Sequence, residues 1–133
     1  MYTVTREINF CYGHRLLNYP GKCRHLHGHN GRVEIEIYAE KLDALGMVRD
    51  FEEIKEIVES WITQHIDHKM ILCRKDPIIP VLKTLDEAYI LVNENPTAEV
   101  IAKMIYDYAQ TQGLPVSEVR LWENDRSCAA YRK

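Results

Sequence analysis

Cys23-Arg24-His25-Leu26-His27-Gly28-His29 brings one thiol and three imidazoles into seven residues. In an extended or turning segment, side chains two apart point the same way, so His27 and His29 share a face. Gly28 between them permits a tight approach, and two imidazoles on one side can grip one metal ion. A working site needs a third ligand. His14 is the candidate, because pairing of the strands before and after the loop would bring it to His27 and His29. Three neutral imidazoles with an open fourth position form a catalytic zinc arrangement, whereas structural sites use four protein ligands rich in Cys. Cys23 fits three roles: a fourth ligand that closes the shell, a base or nucleophile beside it, or a plain loop thiol. A dication and Arg24 nearby would favour its thiolate. His25 points away from His27 in an extended segment and is left out of the shell.

A second group lies downstream. Asp67-His68 follows a helical stretch, and at a helix end the two side chains can converge. The carboxylate would then orient the imidazole and raise its basicity. The same histidine also suits the negative end of a helix dipole. Glu123 closes a strand after Trp122, where a carboxylate can accept two hydrogen bonds from a planar amino-pyrimidine. Thr97 and Glu99 suit a helix cap and a first-turn acid. His65 lies on the helix and is read as structural. Cys11, Cys73 and Cys128 are read as packing residues.

The elements that must position these groups follow from periodicity. Val4, Ile8 and Phe10 alternate with Thr5, Glu7 and Asn9, which predicts a half-buried strand. Residues 11–31, rich in Gly, Asn and His, predict a long functional loop. Val33, Ile35, Ile37 and Ala39 alternate with Glu34, Glu36, Tyr38 and Glu40, a second strand with one charged face. Asp50 and Glu53 resemble a capping box opening a helix with Ile54, Val58, Trp61, Ile62 and Ile66 inward. Residues 67–95 are broken by Asp76-Pro77 and Ile79-Pro80, with a short helix over 81–85 and a short strand over 89–92. A second long helix starts around Asn95-Pro96-Thr97, with Pro96 in its first turn, and ends near Gly113. Residues 119–122 and 128–131 form a closing strand pair. The order of strands and long helices is β-β-α-α-β-β. That predicts an α+β domain, an antiparallel sheet with two helices on one face. Its two free edges are best paired with neighbouring copies, so an oligomer is expected.

The 133 residues fit a single domain, and 46% hydrophobic with 28% charged residues is an ordinary globular mix. A net charge of −3 without basic clusters argues against nucleic acid or an anionic membrane as partner. No apolar run suits a membrane span, and Met1 to Glu7 lacks the pattern of a secretion signal. The four cysteines show no paired spacing, so free thiols and a cytoplasmic location are expected.

The chemistry-bearing residues also fall into ordered blocks. Phe10-x3-His14-Arg15-Leu16, Cys23-x3-His27-Gly28-His29-Asn30, Gly46-Met47-Val48-Arg49-Asp50-Phe51, Asp67-His68, Asn95-Pro96-Thr97-Ala98-Glu99 and Trp122-Glu123 together resemble the 6-pyruvoyl-tetrahydropterin synthase family. Within it the chain is most similar to the bacterial 6-carboxytetrahydropterin branch, which shares the three-residue spacer between Cys23 and His27. The resemblance runs from the first strand to the last. It implies the tunnelling fold, whose sheets close a barrel across subunits, as a trimer or dimer of trimers. It implies zinc on His14, His27 and His29, Cys23 as catalytic thiol, and Asp67 with His68 as catalytic pair. Glu123 would anchor the pterin, and Thr97 and Glu99 would line its pocket. The implied substrate is 7,8-dihydroneopterin triphosphate, converted to 6-carboxy-5,6,7,8-tetrahydropterin with loss of triphosphate and acetaldehyde, a step toward queuosine and related deazapurines. Two other outcomes remain: a 6-pyruvoyl-tetrahydropterin synthase that keeps every side-chain carbon, and a non-catalytic pterin-binding or zinc-storage module.

Overall fold

Alternation of Ile8, Phe10, Tyr12 and His14 with Glu7, Asn9, Cys11 and Gly13 is sustained as one long strand, β1 (Tyr2–His14), in the computed structural model, which describes residues 1–133. It pairs antiparallel along its whole length with β2 (His27–Ala39), from Tyr2 opposite Ala39 to His14 opposite His27. The predicted loop over 11–31 is therefore shorter. It spans residues 15–26 and holds a 3-10 turn at Lys22–Arg24. The correction has a steric cause. Gly13 and Gly28 face each other in the ladder, and a Cβ on Gly28 would lie 3.0 Å from the Tyr12 carbonyl oxygen. These glycines keep the strands close where they otherwise read as loop composition.

The remaining elements are α1 (Phe51–His65), β3 (Lys69–Cys73), α2 (Ile79–Thr84), β4 (Tyr89–Val92), α3 (Ala98–Thr111), β5 (Val116–Asn124) and β6 (Ser127–Arg132). Six strands form one sheet in the order β4-β3-β1-β2-β5-β6. The expected antiparallel sheet is its β1-β2-β5-β6 portion. The additions are β3 and its parallel pairing with β1 on one side and β4 on the other. The sheet is thus mixed; the short helix expected over 81–85 is α2, and the short strand expected over 89–92 is β4.

The core lies between one face of the sheet and the long helices. Ile8, Phe10, Val33, Ile35, Ile37, Val119 and Leu121 from the strands are buried with Ile54, Val58 and Ile62 of α1 and Ile101, Ala102 and Ile105 of α3. The opposite face carries a charge ladder in which Arg32 meets Glu7 and Glu34, Arg120 meets Glu34 and Glu118, and Arg132 meets Glu118. Asp50 caps α1 by accepting from the Glu52 N–H at 2.9 Å. Glu53, placed in a capping box by the sequence pattern, pairs instead with Arg49 at 3.2 Å. Helix α3 begins one turn position later than expected. Thr97 is its cap, accepting from the Val100 N–H at 3.3 Å, and Pro96 stands outside the first turn. No helix is long and apolar enough to cross a membrane.

Candidate active site

The antiparallel register makes the histidine cluster. His14 and His27 are direct cross-strand partners, and His29 lies opposite Tyr12, two residues from His14. Residues i and i±2 share a face, so all three imidazoles project together. Their ring centroids are 4.5 to 5.1 Å apart. One ring nitrogen from each lies within 4.8 Å of the others. Cys23 is not part of this set.

Two of the rings are held in the form that metal binding needs. His14 Nδ1–H donates to the Pro96 carbonyl at 2.7 Å, and His27 Nδ1–H donates to the His25 carbonyl at 2.7 Å. In the neutral imidazole each bond places the ring proton on Nδ1 and leaves Nε2 free to ligate. His14 and His29 bring their Nε2 atoms to 3.1 Å. Burial pushes the His14 imidazole below its ordinary value, reinforced by the neighbouring histidines against the pull of Pro96 and Glu123. A neutral, buried imidazole is the ligating form. The donor set therefore fits one dication with three nitrogen ligands. His25 supplies only its carbonyl, and its exposed ring accepts from Arg24 Nε at 3.2 Å.

Glu123 sits at an irregularity in the β5–β6 pairing, and such bulges re-aim a side chain. Its Oε1 lies 3.8 Å from His14 Nε2 and 3.9 Å from His29 Nε2. A cavity of about 270 Å³ opens beside it, lined by His14, Cys23, Thr97, Glu99 and Glu123 among others. The structure thus brings the predicted thiol, pterin anchor and pocket residues to one place beside the cluster. Thr97 serves both as helix cap and as cavity wall.

Asp67 and His68 lie elsewhere. His68 Nδ1–H donates to Asp67 Oδ2 at 2.9 Å, and His68 holds a left-handed φ of 58°, a strained conformation for a non-glycine residue. Both residues are tied to β1. Asp67 Oδ1 accepts from the Cys11 N–H at 3.0 Å, and the His68 N–H donates to the Cys11 carbonyl at 2.7 Å. Burial pushes the Asp67 carboxyl up, but the bonds from Cys11 and His68 outweigh it and hold it below its ordinary value. The exposed His68 ring lines a second, open cavity of about 610 Å³ with Cys11, Gly28, Asn30 and Glu87. Within one chain, His68 and Cys23 therefore border different cavities.

Several supporting residues escaped the sequence reading. Asn95 clamps the loop, accepting from the Leu17 N–H at 2.8 Å and donating to its carbonyl at 3.0 Å. Asp76 is buried against Arg15. Tyr12 is buried beside His14 and His29. The β1 alternation, continued past Phe10, is the signal for Tyr12. Asn95 reads locally as a helix-start residue and gives no sign of its contact 78 residues away.

A family model described as 6-pyruvoyl tetrahydropterin synthase matches residues 3–133. A 6-carboxy-5,6,7,8-tetrahydropterin synthase of Rickettsia bellii is 37% identical, over 92% of this chain and 94% of that one. A protein of the same name from Haemophilus influenzae is 31% identical over the full length of both. Among solved structures, an uncharacterized protein of Wolinella succinogenes superposes with a TM-score of 0.83 at 26% identity, covering 99% of this chain and 98% of the other. The 6-pyruvoyl tetrahydropterin synthase of Caenorhabditis elegans shares the fold, with a TM-score of 0.74 at 21% identity over 99% and 95% of the two chains. The chain belongs to the 6-pyruvoyl tetrahydropterin synthase family. It is a lyase-type enzyme, similar to the 6-carboxytetrahydropterin synthases of that family.

Proposed function

We propose that this protein is a single-domain, cytoplasmic enzyme that converts 7,8-dihydroneopterin triphosphate and water to 6-carboxy-5,6,7,8-tetrahydropterin, triphosphate and acetaldehyde, in the service of queuosine and related deazapurines. The observation that carries this reading is the three-nitrogen cluster opening beside a cavity that holds Cys23, Thr97, Glu99 and Glu123. His14, His27 and His29 would hold zinc, which when bound acidifies hydroxyl groups of the substrate's side chain. Glu123 accepts hydrogen bonds from the pterin ring, and Thr97 and Glu99 bound the pocket. Cys23, as thiolate, removes a proton from the side chain. His68 moves a second one through Nε2, because its Nδ1–H is committed to Asp67.

The two cavities support a site shared between copies. Cys23 and His68 belong to one reaction but border different cavities in one chain. A neighbouring copy placed so that its His68 meets this chain's Cys23 completes the set. A trimer or dimer of trimers, with sheet edges paired into a barrel, provides that arrangement.

Mass spectrometry of the products tests the reaction. Release of acetaldehyde with 6-carboxy-tetrahydropterin is expected. A product that retains every side-chain carbon would make the protein a 6-pyruvoyl-tetrahydropterin synthase. Unchanged substrate with zinc-loaded protein would leave a pterin-binding or zinc-storage module. The strained backbone at His68 and its paired carboxylate favour catalysis over storage.

A further inference from the structure

Tyr12 is 3% exposed, yet its hydroxyl finds no hydrogen-bond partner at bonding geometry within the chain. Buried hydroxyls are nearly always satisfied, so an orphan beside the histidine cluster calls for a reason. The fold gives space to this ring at a neighbour's expense. Phe10 and Tyr12 stack at 5.2 Å over Gly31, where a Cβ would come within 3.1 Å of the Tyr12 ring and 3.2 Å of Phe10. A side chain is absent at position 31 so that an aromatic can lie there. The ring packs against His14 at 5.2 Å and His29 at 5.6 Å, the two imidazoles that Glu123 also approaches. The Tyr12 ring and the Glu123 carboxylate thus converge on the same pair of imidazoles.

We infer that Tyr12 is a positioning residue for Glu123. Its hydroxyl donates to one Glu123 oxygen when the site is filled, which leaves the other oxygen turned to the ligand. A carboxylate beside three imidazoles has competing places to go, toward the cluster or toward the cavity. A phenol fixed by packing on Phe10 and Gly31 selects between them at little entropic cost. A phenylalanine would fill the volume equally well, so the hydroxyl and not the ring is what packing leaves unexplained. The inference rests on the reading of Glu123 as the residue that grips the pterin.

The test is Tyr12→Phe, which removes one oxygen and keeps the ring. With zinc content and Tm at wild-type levels, KM for 7,8-dihydroneopterin triphosphate should rise about tenfold, with kcat lowered less than threefold. An unchanged KM in this folded variant overturns the inference. A second measurement does not depend on turnover. The infrared difference between wild-type and Tyr12→Phe proteins, zinc-loaded and saturated with pterin, should contain a carboxylate band that vanishes when the comparison is repeated in a Glu123→Gln background. Absence of that band also overturns it. If wild-type protein does not turn over the pterin triphosphate, the functional reading fails, while the infrared band still decides whether Tyr12 holds Glu123.

Discussion

Arg15 meets Asp76 through two parallel bonds, Nε to Oδ2 at 2.8 Å and Nη2 to Oδ1, with the Asp76 side chain fully buried. The same carboxylate accepts the Ile78 N–H at 2.9 Å. This fork ties the residue after His14 to the turn between β3 and α2. Removing the guanidinium strands a buried charge, so Arg15→Ala should cost about 3 kcal/mol of stability, read by urea denaturation. The Arg15 bond is the main cause that holds the Asp76 carboxyl below its ordinary 3.8, against the effect of burial. Its contribution is therefore complete above that value and is lost as pH falls below it. The difference between wild type and Arg15→Ala should shrink in acid. A difference that grows there would contradict this assignment.

Metal content separates the histidines. His14→Ala, His27→Ala and His29→Ala should each lose stoichiometric zinc after dialysis against a weak chelator, while His25→Ala keeps it. Retention of zinc in the His14 variant would remove that residue from the ligand set.

Cys23→Ala should hold zinc normally and lose at least a thousandfold in turnover, on the order expected for a thiol that moves the proton itself. Loss of zinc along with activity would instead make Cys23 a ligand.

A shared site has a consequence for mixtures. Cys23→Ala and His68→Ala chains, each inactive, should regain part of the wild-type rate when refolded together, because some sites receive both intact residues. Activity that stays absent in verified mixed assemblies would place the whole set in one chain.

Gly31→Ala should destabilise the protein by about 1–3 kcal/mol by overpacking against Tyr12, Phe10 and Leu121, measured by thermal unfolding.

The histidine cluster was open to reading because two of its members are two residues apart and the third follows directly from strand pairing. Periodicity was equally informative for α1, α3 and β2, whose buried positions recur at helical or strand spacing. What composition hid was the continuation of β1 and β2 through Gly13 and Gly28, since glycine signals loops unless its cross-strand neighbour is known. The β3-α2-β4 unit was partly visible, but its parallel pairing depends on contacts with β1 that no local pattern encodes. That Cys23 and His68 border different cavities has no signature in spacing.

The segment from Asn95 to Glu99 illustrates how tightly several properties can be bound to one stretch of backbone. Asn95 fixes the loop that carries Cys23, the Pro96 carbonyl sets the tautomer of His14 in the histidine cluster, Thr97 starts a helix, and Glu99 borders the cavity. Such a segment resists piecemeal redesign. A substitution chosen to widen the pocket here would disturb metal affinity, loop order and helix stability together, so altered substrate range is more readily reached through residues such as Glu87, whose segment serves the other cavity and leaves this knot intact.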